Sequence, residues 1–230
     1  GSIGNLTLVD CNNSASSSSS DERVVWRAKA GVTYRIRVDA GSPNAILRLL
    51  RVPAPKNDDF AKATAVTSFP ATYVTDLVNA SREEGEPGPD CGSRGGNSIW
   101  YSVKTATTRA IQVDATFSQM DSYLLVTTGS SVGSQTVLAC GDDISEVGTG
   151  PRITFTAKAG TTYRILLAGY GGYGGKISVT FRSVTPPAND AFAKAKEITA
   201  NGATVKGDTT NATTQAGEPL AADGCSDEYV

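Results

Sequence analysis

The stretch AKAGTTYRI at residues 157–165 occurs a second time, as AKAGVTYRI at residues 28–36, with one residue changed. In each copy a glycine, Gly160 or Gly31, stands before a run of residues that favours strands. Glycine readily takes the positive φ that a tight turn between two strands needs. We therefore predict a strand–turn–strand unit in each copy, and the duplication indicates a fold built from repeats.

The duplication extends over the rest of the chain in two registers. In the first, displaced by 129 residues, Cys11 and Cys140 each lie 20 residues before the glycine of the turn. In the second, displaced by 132 residues, NDDFAKA (57–63) returns as NDAFAKA (189–195), and NASREEGEP (79–87) returns as NATTQAGEP (211–219). Cys225 echoes Cys91 in the same way. The chain is thus predicted to hold the rear half of a repeat at 1–52, a complete repeat at 53–186 and the front half of a repeat at 187–230.

Short segments of alternating apolar and polar residues run through the complete repeat. They are 98–104, 110–116, 122–128, 135–140, 152–157, 161–168 and 176–182. Turn-rich breaks separate them, as is typical of a β-sandwich or barrel. The sequence therefore predicts an all-β fold, with one short helical turn at 58–64 capped by Asp58.

Alternation along these segments also predicts which side chains form the core. The predicted core consists of Ile99, Val103, Ile111, Val113, Leu124, Val126, Leu138, Ile153, Phe155, Tyr163, Ile165, Ile177, Val179 and Phe181.

The charge pattern argues against two classes of partner. The formal net charge is −2, and acidic and basic residues are interspersed rather than grouped. A nucleic acid or an anionic membrane surface would need a basic face. No apolar run approaches the length that spans a membrane. We therefore expect no nucleic-acid partner and no membrane span.

The cysteines are better suited to crosslinking than to metal binding. The chain has four cysteines and no histidine, and Cys91 and Cys140 lie 49 residues apart with no neighbouring ligand residue. Zinc sites usually contain close cysteine pairs or mixtures of cysteine and histidine. A Cys91–Cys140 disulfide is the preferred interpretation, and two free buried thiols are the alternative. A disulfide would place the protein in an oxidising, extracellular setting.

The absence of histidine removes the usual general base and the common nucleophilic triads. Paired carboxylates could still act as acid and base, and the candidates are Glu83, Glu84, Glu86, Asp142 and Asp143. Both groups lie in loops rich in glycine and proline, where solvated acidic residues are common, and the sister repeats keep them poorly. The sequence therefore predicts a protein without catalytic activity.

Two loop features are candidate binding sites. Calcium prefers clustered oxygen ligands from loops, which suggests Asp58, Asp59, Asp121, Asp142 and Asp143 as its ligands. Ordinary helix caps and Asx-turns would explain the same residues. In GYGGYGG (169–175), Tyr170 and Tyr173 could stack on a sugar ring or a partner protein, or could cover the edge of the sandwich. No other cofactor is expected.

An ordered series of segments resembles the bacterial pre-peptidase C-terminal domain and its tandem relatives in large secreted proteins. The segments are NDDFAKA, GEP, SIWYSV, MDSYLLVTTGSSVGSQTVLACGDD, ITFTAKAGTTYRILLAGYGG and ISVTF. The resemblance implies an extracellular jelly-roll β-sandwich, appended to secreted proteases or strung in arrays on surface proteins. It also implies that calcium, collagen-like or polysaccharide surfaces are bound by some relatives. The family often has Asn-Asp-Asp where this chain has Gly141-Asp142-Asp143.

These observations lead to one preferred function and two alternatives. The preferred function is a structural repeat of an extracellular or cell-surface array or filament. Residues 189–230 of one subunit would complete residues 1–52 of the next, with Cys225 bonded to Cys11, or the same contacts would form within one longer polypeptide. The alternatives are an adhesin-like module that binds polysaccharide or protein, and an accessory domain of a secreted protease. Against the composite sandwich, the two halves together lack a counterpart of residues 100–128.

Overall fold

The structure is a computed structural model that describes residues 3–11, 23–39, 45–88, 97–143, 150–170 and 174–214. Within these ranges the regular elements are β-strands and short 3₁₀ turns. The strands are β1 Thr64–Val66, β2 Ala71–Asp76, β3 Ser98–Lys104, β4 Arg109–Asp114, β5 Ser122–Thr128, β6 Thr136–Gly141, β7 Arg152–Ala157, β8 Thr162–Gly169 and β9 Lys176–Val184. The prediction of an all-β fold is confirmed.

The strands form a two-sheet sandwich with nested pairing. One sheet has the order β1-β3-β8-β5-β6 and the other β2-β9-β4-β7. The antiparallel pairs β5–β6, β4–β7, β3–β8 and β2–β9 enclose one another along the chain and alternate between the sheets. Such an arrangement is a long hairpin wrapped into two layers, which is the jelly-roll topology that the resemblance implied.

The core lies between the sheets and contains thirteen of the fourteen side chains predicted for it. Each of the thirteen is buried. A second, smaller cluster covers the outer face of the five-stranded sheet, where Phe60 packs edge-on against Trp100 with ring centroids 5.2 Å apart. Because β3, β5 and β8 are covered on both faces, they read as nearly continuous apolar runs.

Leu138 is the exception, and its prediction as a core residue was wrong. Its side chain is 45% exposed on β6. The register between β5 and β6 shifts there, so that Val126 faces Ala139 while Thr127 faces Val137. Leu138 is therefore the extra residue of a β-bulge, and strict alternation fails at a bulge because one residue has no opposite number.

Two further details differ from the sequence prediction. The short strands β1 and β2 were not predicted, because three residues of β1 and the polar residues of β2 give little periodic signal. The helical turn is present as a 3₁₀ turn at Phe60–Lys62, but its N-cap position is Asp59 and no side chain caps it. Asp58 instead accepts hydrogen bonds from the backbone N and Oγ of Ser81, at 2.6 and 2.8 Å.

The repeated turn keeps its geometry in both copies. Gly31 and Gly160 both have φ of 75°. Lys29 N donates to Tyr34 Oη at 2.9 Å, and Lys158 N donates to Tyr163 Oη at 3.0 Å. The second copy joins β7 to β8, as predicted, whereas the described residues 23–39 around the first copy form no strand. The predicted strands at 28–36 are therefore wrong for this structure, because a strand needs hydrogen-bonded neighbours and the rear half has no counterpart of 100–128.

As a result, apolar residues of the rear half face solvent. Their repeat counterparts Ile165, Leu167, Val179 and Phe181 are fully buried in the core. The residues themselves are exposed by about half or more of their surface: Ile36 49%, Val38 53%, Leu47 60% and Leu49 70%. The same sequence pattern is thus a core in one part of the chain and a surface in another.

In the ranges that the structure describes, no helix is long and apolar enough to cross a membrane.

Candidate functional site: an acidic cluster and two repeat junctions

Three predicted calcium ligands meet at one end of the five-stranded sheet. Asp121 directly precedes β5, and Asp142 and Asp143 directly follow β6. Because β5 and β6 are antiparallel, with Leu124 opposite Gly141, the start of one strand lies beside the end of the other. One carboxylate oxygen from each aspartate lies within 4.8 Å of the other two. This acidic cluster offers a hard cation three oxygen ligands.

The acidic cluster holds its protons more tightly than free aspartate does. Desolvation raises the pKa of Asp121. For Asp142 desolvation and then the charge of Asp121 raise the pKa. For Asp143 desolvation, together with both neighbouring carboxylates, raises the pKa to about 6. Asp121 Oδ1 is buried and has no hydrogen-bond partner in the described part of the chain. A bound cation would relieve this mutual repulsion.

The other two predicted calcium ligands lie apart from the acidic cluster. Asp58 bonds to Ser81 and pairs with the guanidinium of Arg27. Asp59 pairs with Arg27 and, at 2.9 Å, with Lys62. The structure thus divides the predicted set into three clustered aspartates and two that form ion pairs.

The remaining predicted site residues are only partly described. Tyr170 is 41% exposed, and its backbone N donates to Asp121 O at 3.0 Å, which places it next to the acidic cluster. Cys140 is half-buried in β6, and Cys11 is an exposed free cysteine. Tyr173, Cys91 and Cys225 lie outside the described residues, so both disulfides and the tyrosine pair stay predictions.

The three glutamates considered as catalytic candidates have separate partners. Glu83 accepts from Phe60 N at 2.6 Å, and the exposed Glu84 pairs with Lys29 at 2.9 Å. Glu86 is buried and accepts from Ser98 Oγ at 2.8 Å and from Trp100 Nε1 at 3.2 Å.

Burial raises the pKa of Glu86 to about 7, against the lowering effect of its hydrogen bonds. Sequence reasoning missed this buried role, although the repeat carries a signal for it. Glu86 returns as Glu218 in the sister repeat, whereas Glu83 and Glu84 return as Gln215 and Ala216.

The first repeat junction, as we call it, joins residues 23–29 of the rear half to the loops at 58–59 and 79–84. Arg23 donates to Asn79 Oδ1 at 2.6 Å. Arg27 pairs with Asp58 and Asp59, and Lys29 pairs with Glu84. Sequence reasoning did not identify these contacts, because residues far apart in the chain supply them.

The second repeat junction joins β7 to residues 211–214. Phe155 and Thr214 form an isolated parallel bridge, which extends the free edge of the four-stranded sheet. Thr156 Oγ1 bonds to Thr213 Oγ1 at 3.4 Å. Gln112 on β4 donates to Asn211 Oδ1 at 3.2 Å. Hydroxyl and amide groups thus take the place of the ion pairs of the first junction.

The loops that reach both junctions have the same internal hydrogen bonds. Asp190 accepts from Thr213 N and Oγ1, each at 2.6 Å, just as Asp58 accepts from Ser81. The 3₁₀ turn Phe192–Lys194 repeats Phe60–Lys62, and its N-cap side chain likewise makes no capping bond. The front half therefore folds locally like the front of the central segment 53–186.

Comparison with known proteins gives two solved structures with low identity. No family model matches the chain, and no curated protein matches its sequence. The pre-peptidase C-terminal domain of a collagenase from Bacillus anthracis is 16% identical, with a TM-score of 0.37 over 58% of this chain and 100% of that one. PliG, a periplasmic inhibitor of g-type lysozyme from Aeromonas hydrophila, is 12% identical, with a TM-score of 0.37 over 52% of this chain and 94% of that one.

Proposed function

We propose that the protein is a non-catalytic extracellular repeat module, of the pre-peptidase C-terminal type, that forms part of a surface array or filament by head-to-tail domain completion. The observation that carries the proposal is the exposed apolar pattern of the rear half. Ile36, Val38, Leu47 and Leu49 keep the spacing of core residues but lie at the surface. Contiguous exposed apolar surface is typical of a protein interaction site.

The front half of an adjacent repeat is the proposed occupant of that surface. Residues 187–214 repeat the local turns and hydrogen bonds of the front of the central segment. In the central segment this front packs on the five-stranded sheet, where Phe60 contacts Trp100. A heterologous contact of this kind propagates from copy to copy unless it closes into a ring.

Two disulfides would strengthen such an array. We propose that Cys91 bonds to Cys140 within the central segment and that Cys225 bonds to Cys11 of the neighbour. Cys11 is exposed and therefore accessible to a neighbour. Both bridges require an oxidising compartment, which supports an extracellular or cell-surface location.

Light scattering of the 230-residue chain over a range of concentrations tests the assembly. We expect masses that rise in steps of 23.8 kDa and a Cys11–Cys225 peptide in a non-reducing digest. The double variant Ile36→Asp/Leu49→Asp should remain monomeric, because charges would occupy the proposed interface. Phe117→Asp, which changes an equally exposed apolar residue elsewhere, is the matched control. A monomer at every concentration, with free Cys11 and Cys225, would rule out the filament.

One observation favours a second candidate, an adhesin-like binding module. Tyr170 is exposed beside the acidic cluster, and an aromatic ring next to acidic oxygens is a plausible platform for a sugar. Glycan-array binding by the wild-type chain that the double variant Tyr170→Ala/Tyr173→Ala loses would support this function. The single variant Tyr34→Ala, which removes a tyrosine of the rear half, controls for the loss of a ring.

A further inference from the structure

The two repeat junctions have the same geometry but different side chains. In the first junction Arg23 faces Asn79. Moving both residues by their repeat offsets gives Arg152 and Asn211, and three residues further along each segment stand Phe155 and Thr214, which form the parallel bridge. The segments of both junctions therefore run in the same direction and the same register.

The side chains that differ between the junctions differ in pairs. Arg27 and its partner Asp59 correspond to Thr156 and Ala191 in the second junction. Glu84, the partner of Lys29, corresponds to Ala216. Where the rear residue is arginine, the loop has a second carboxylate, and where it is threonine, that carboxylate is absent.

We infer that the free edge beside β7 is the docking surface for the repeat that follows, and that these paired side chains determine which repeat docks there. The inference rests on the proposed repeat-array function and identifies the partner surface as the loops equivalent to 58–59 and 79–84. An exposed edge strand offers unpaired backbone groups to an incoming segment. In the second junction that segment is residues 211–214.

Charge complementarity explains the selectivity. Asp58 and Asp59 have nearly buried side chains, whereas the Arg27 side chain is 40% exposed. If a threonine replaced Arg27 opposite these loops, Asp59 would keep only Lys62, and Asp58 would keep only its bonds to Ser81. Unpaired buried carboxylates disfavour a wrong partner, and paired ones favour the right one.

Hydrogen–deuterium exchange of the full-length chain tests this inference. Peptides spanning 79–84 report the first junction, and peptides spanning 209–214 report the second. We expect 1 M NaCl to speed exchange at the first junction and to leave the second unchanged, because salt screens partly exposed ion pairs. Arg27→Thr, which imports the residue of the second junction, should speed exchange of 79–84 about fivefold at low salt.

Three further variants test the pairing. In the Arg27→Thr background, Asp59→Ala should add no further increase, because its partner is already gone. The double variant Thr156→Arg/Ala191→Asp should slow exchange at 209–214 and make it sensitive to salt. Lys104→Thr, which changes a cation at the end of β3 away from both junctions, should leave exchange at both junctions unchanged.

The inference is overturned if Arg27→Thr leaves 79–84 unchanged while strand amides remain protected, or if the effects of Arg27→Thr and Asp59→Ala simply add. Both junctions lie within one chain, so exchange at low concentration reads them without any assembly. A failure of self-association would therefore contradict the head-to-tail function and leave the junction result intact. Conversely, assembly with uncoupled junction residues would contradict only the inference.

Discussion

Glu86 is a carboxyl group that the fold holds in its protonated form near neutral pH. Its pKa is raised from 4.5 to about 7, chiefly by burial. Below about pH 4.5 the group is protonated in both the folded and the unfolded chain, so it does not affect stability there. Between about pH 4.5 and 7 only the unfolded chain releases the proton, and the free energy of unfolding therefore falls as the pH rises.

We expect Glu86→Gln to remove this pH dependence. Urea denaturation at pH 5 and pH 8 should show the variant gaining up to about 3 kcal/mol relative to the wild type at the higher pH. Glu84→Gln, which changes an exposed carboxylate in the same loop, should stay within about 0.5 kcal/mol of the wild type at both pH values. Equal pH profiles for wild type and Glu86→Gln would show that the group titrates normally.

The acidic cluster gives a second prediction at the residue scale. At pH 7.5 its three carboxylates are ionised, because the highest printed pKa, that of Asp143, is about 6. Calcium at 100 times its dissociation constant would then raise the free energy of unfolding by about 2.7 kcal/mol, and acidification to pH 5 would abolish the gain. Asp143→Asn should lose the calcium response, and Asp39→Asn, an exposed control, should keep it. A melting temperature that ignores calcium at pH 7.5 would exclude a site.

At the scale of the element, β6 shows where alternation predicts burial and where it does not. Val137 and Cys140 pack on the outer cluster while Ala139 packs on the inner core, so one residue between them has no face to join. That residue is Leu138, and a sequence read in strict alternation assigns it to the core. The bulge depends on how β5 and β6 pair, and that pairing is absent from the sequence of either strand.

We expect Leu138→Thr to change the free energy of unfolding by no more than about 0.5 kcal/mol, as at other surface sites. Leu124→Ala, in the opposite strand and fully buried, should cost about 2–5 kcal/mol. Both values come from urea denaturation at one pH. A loss for Leu138→Thr as large as that for Leu124→Ala would mean that Leu138 is covered in solution.

At the scale of the whole molecule, the sequence predicts the central strands well and the flanks poorly. Seven strands and thirteen core residues follow from local alternation, which buried faces enforce. The flanks carry the same patterns, but a pattern becomes a strand only where partner strands exist. The acidic cluster and the first junction depend on contacts between distant residues, so the spacing of Asp121 and Asp142, or of Arg27 and Asp59, could not predict them.

Limited trypsin digestion at low protein concentration tests this division. We expect the first cuts at Arg35, Arg37 or Arg48 in the exposed rear half, and at Lys196 or Lys206 in the front half. Mass spectrometry should then find cuts after Arg152 and Lys176 only later, because β7 and β9 protect them. Early cleavage within those strands would contradict a sandwich confined to the central segment.

The nested order of the strand pairs has a consequence for how the chain is made. Only a short loop separates β5 from β6, but β2 must wait for β9, about a hundred residues later. At a synthesis rate of roughly 5–20 residues per second, that wait lasts roughly 5–20 s. During this time β2 lies beside the preceding rear half, whose residues 45–52 match β9 in register. The divergence of AILRLLRV from KISVTFRSV would then serve to keep a newborn strand from joining the wrong neighbour.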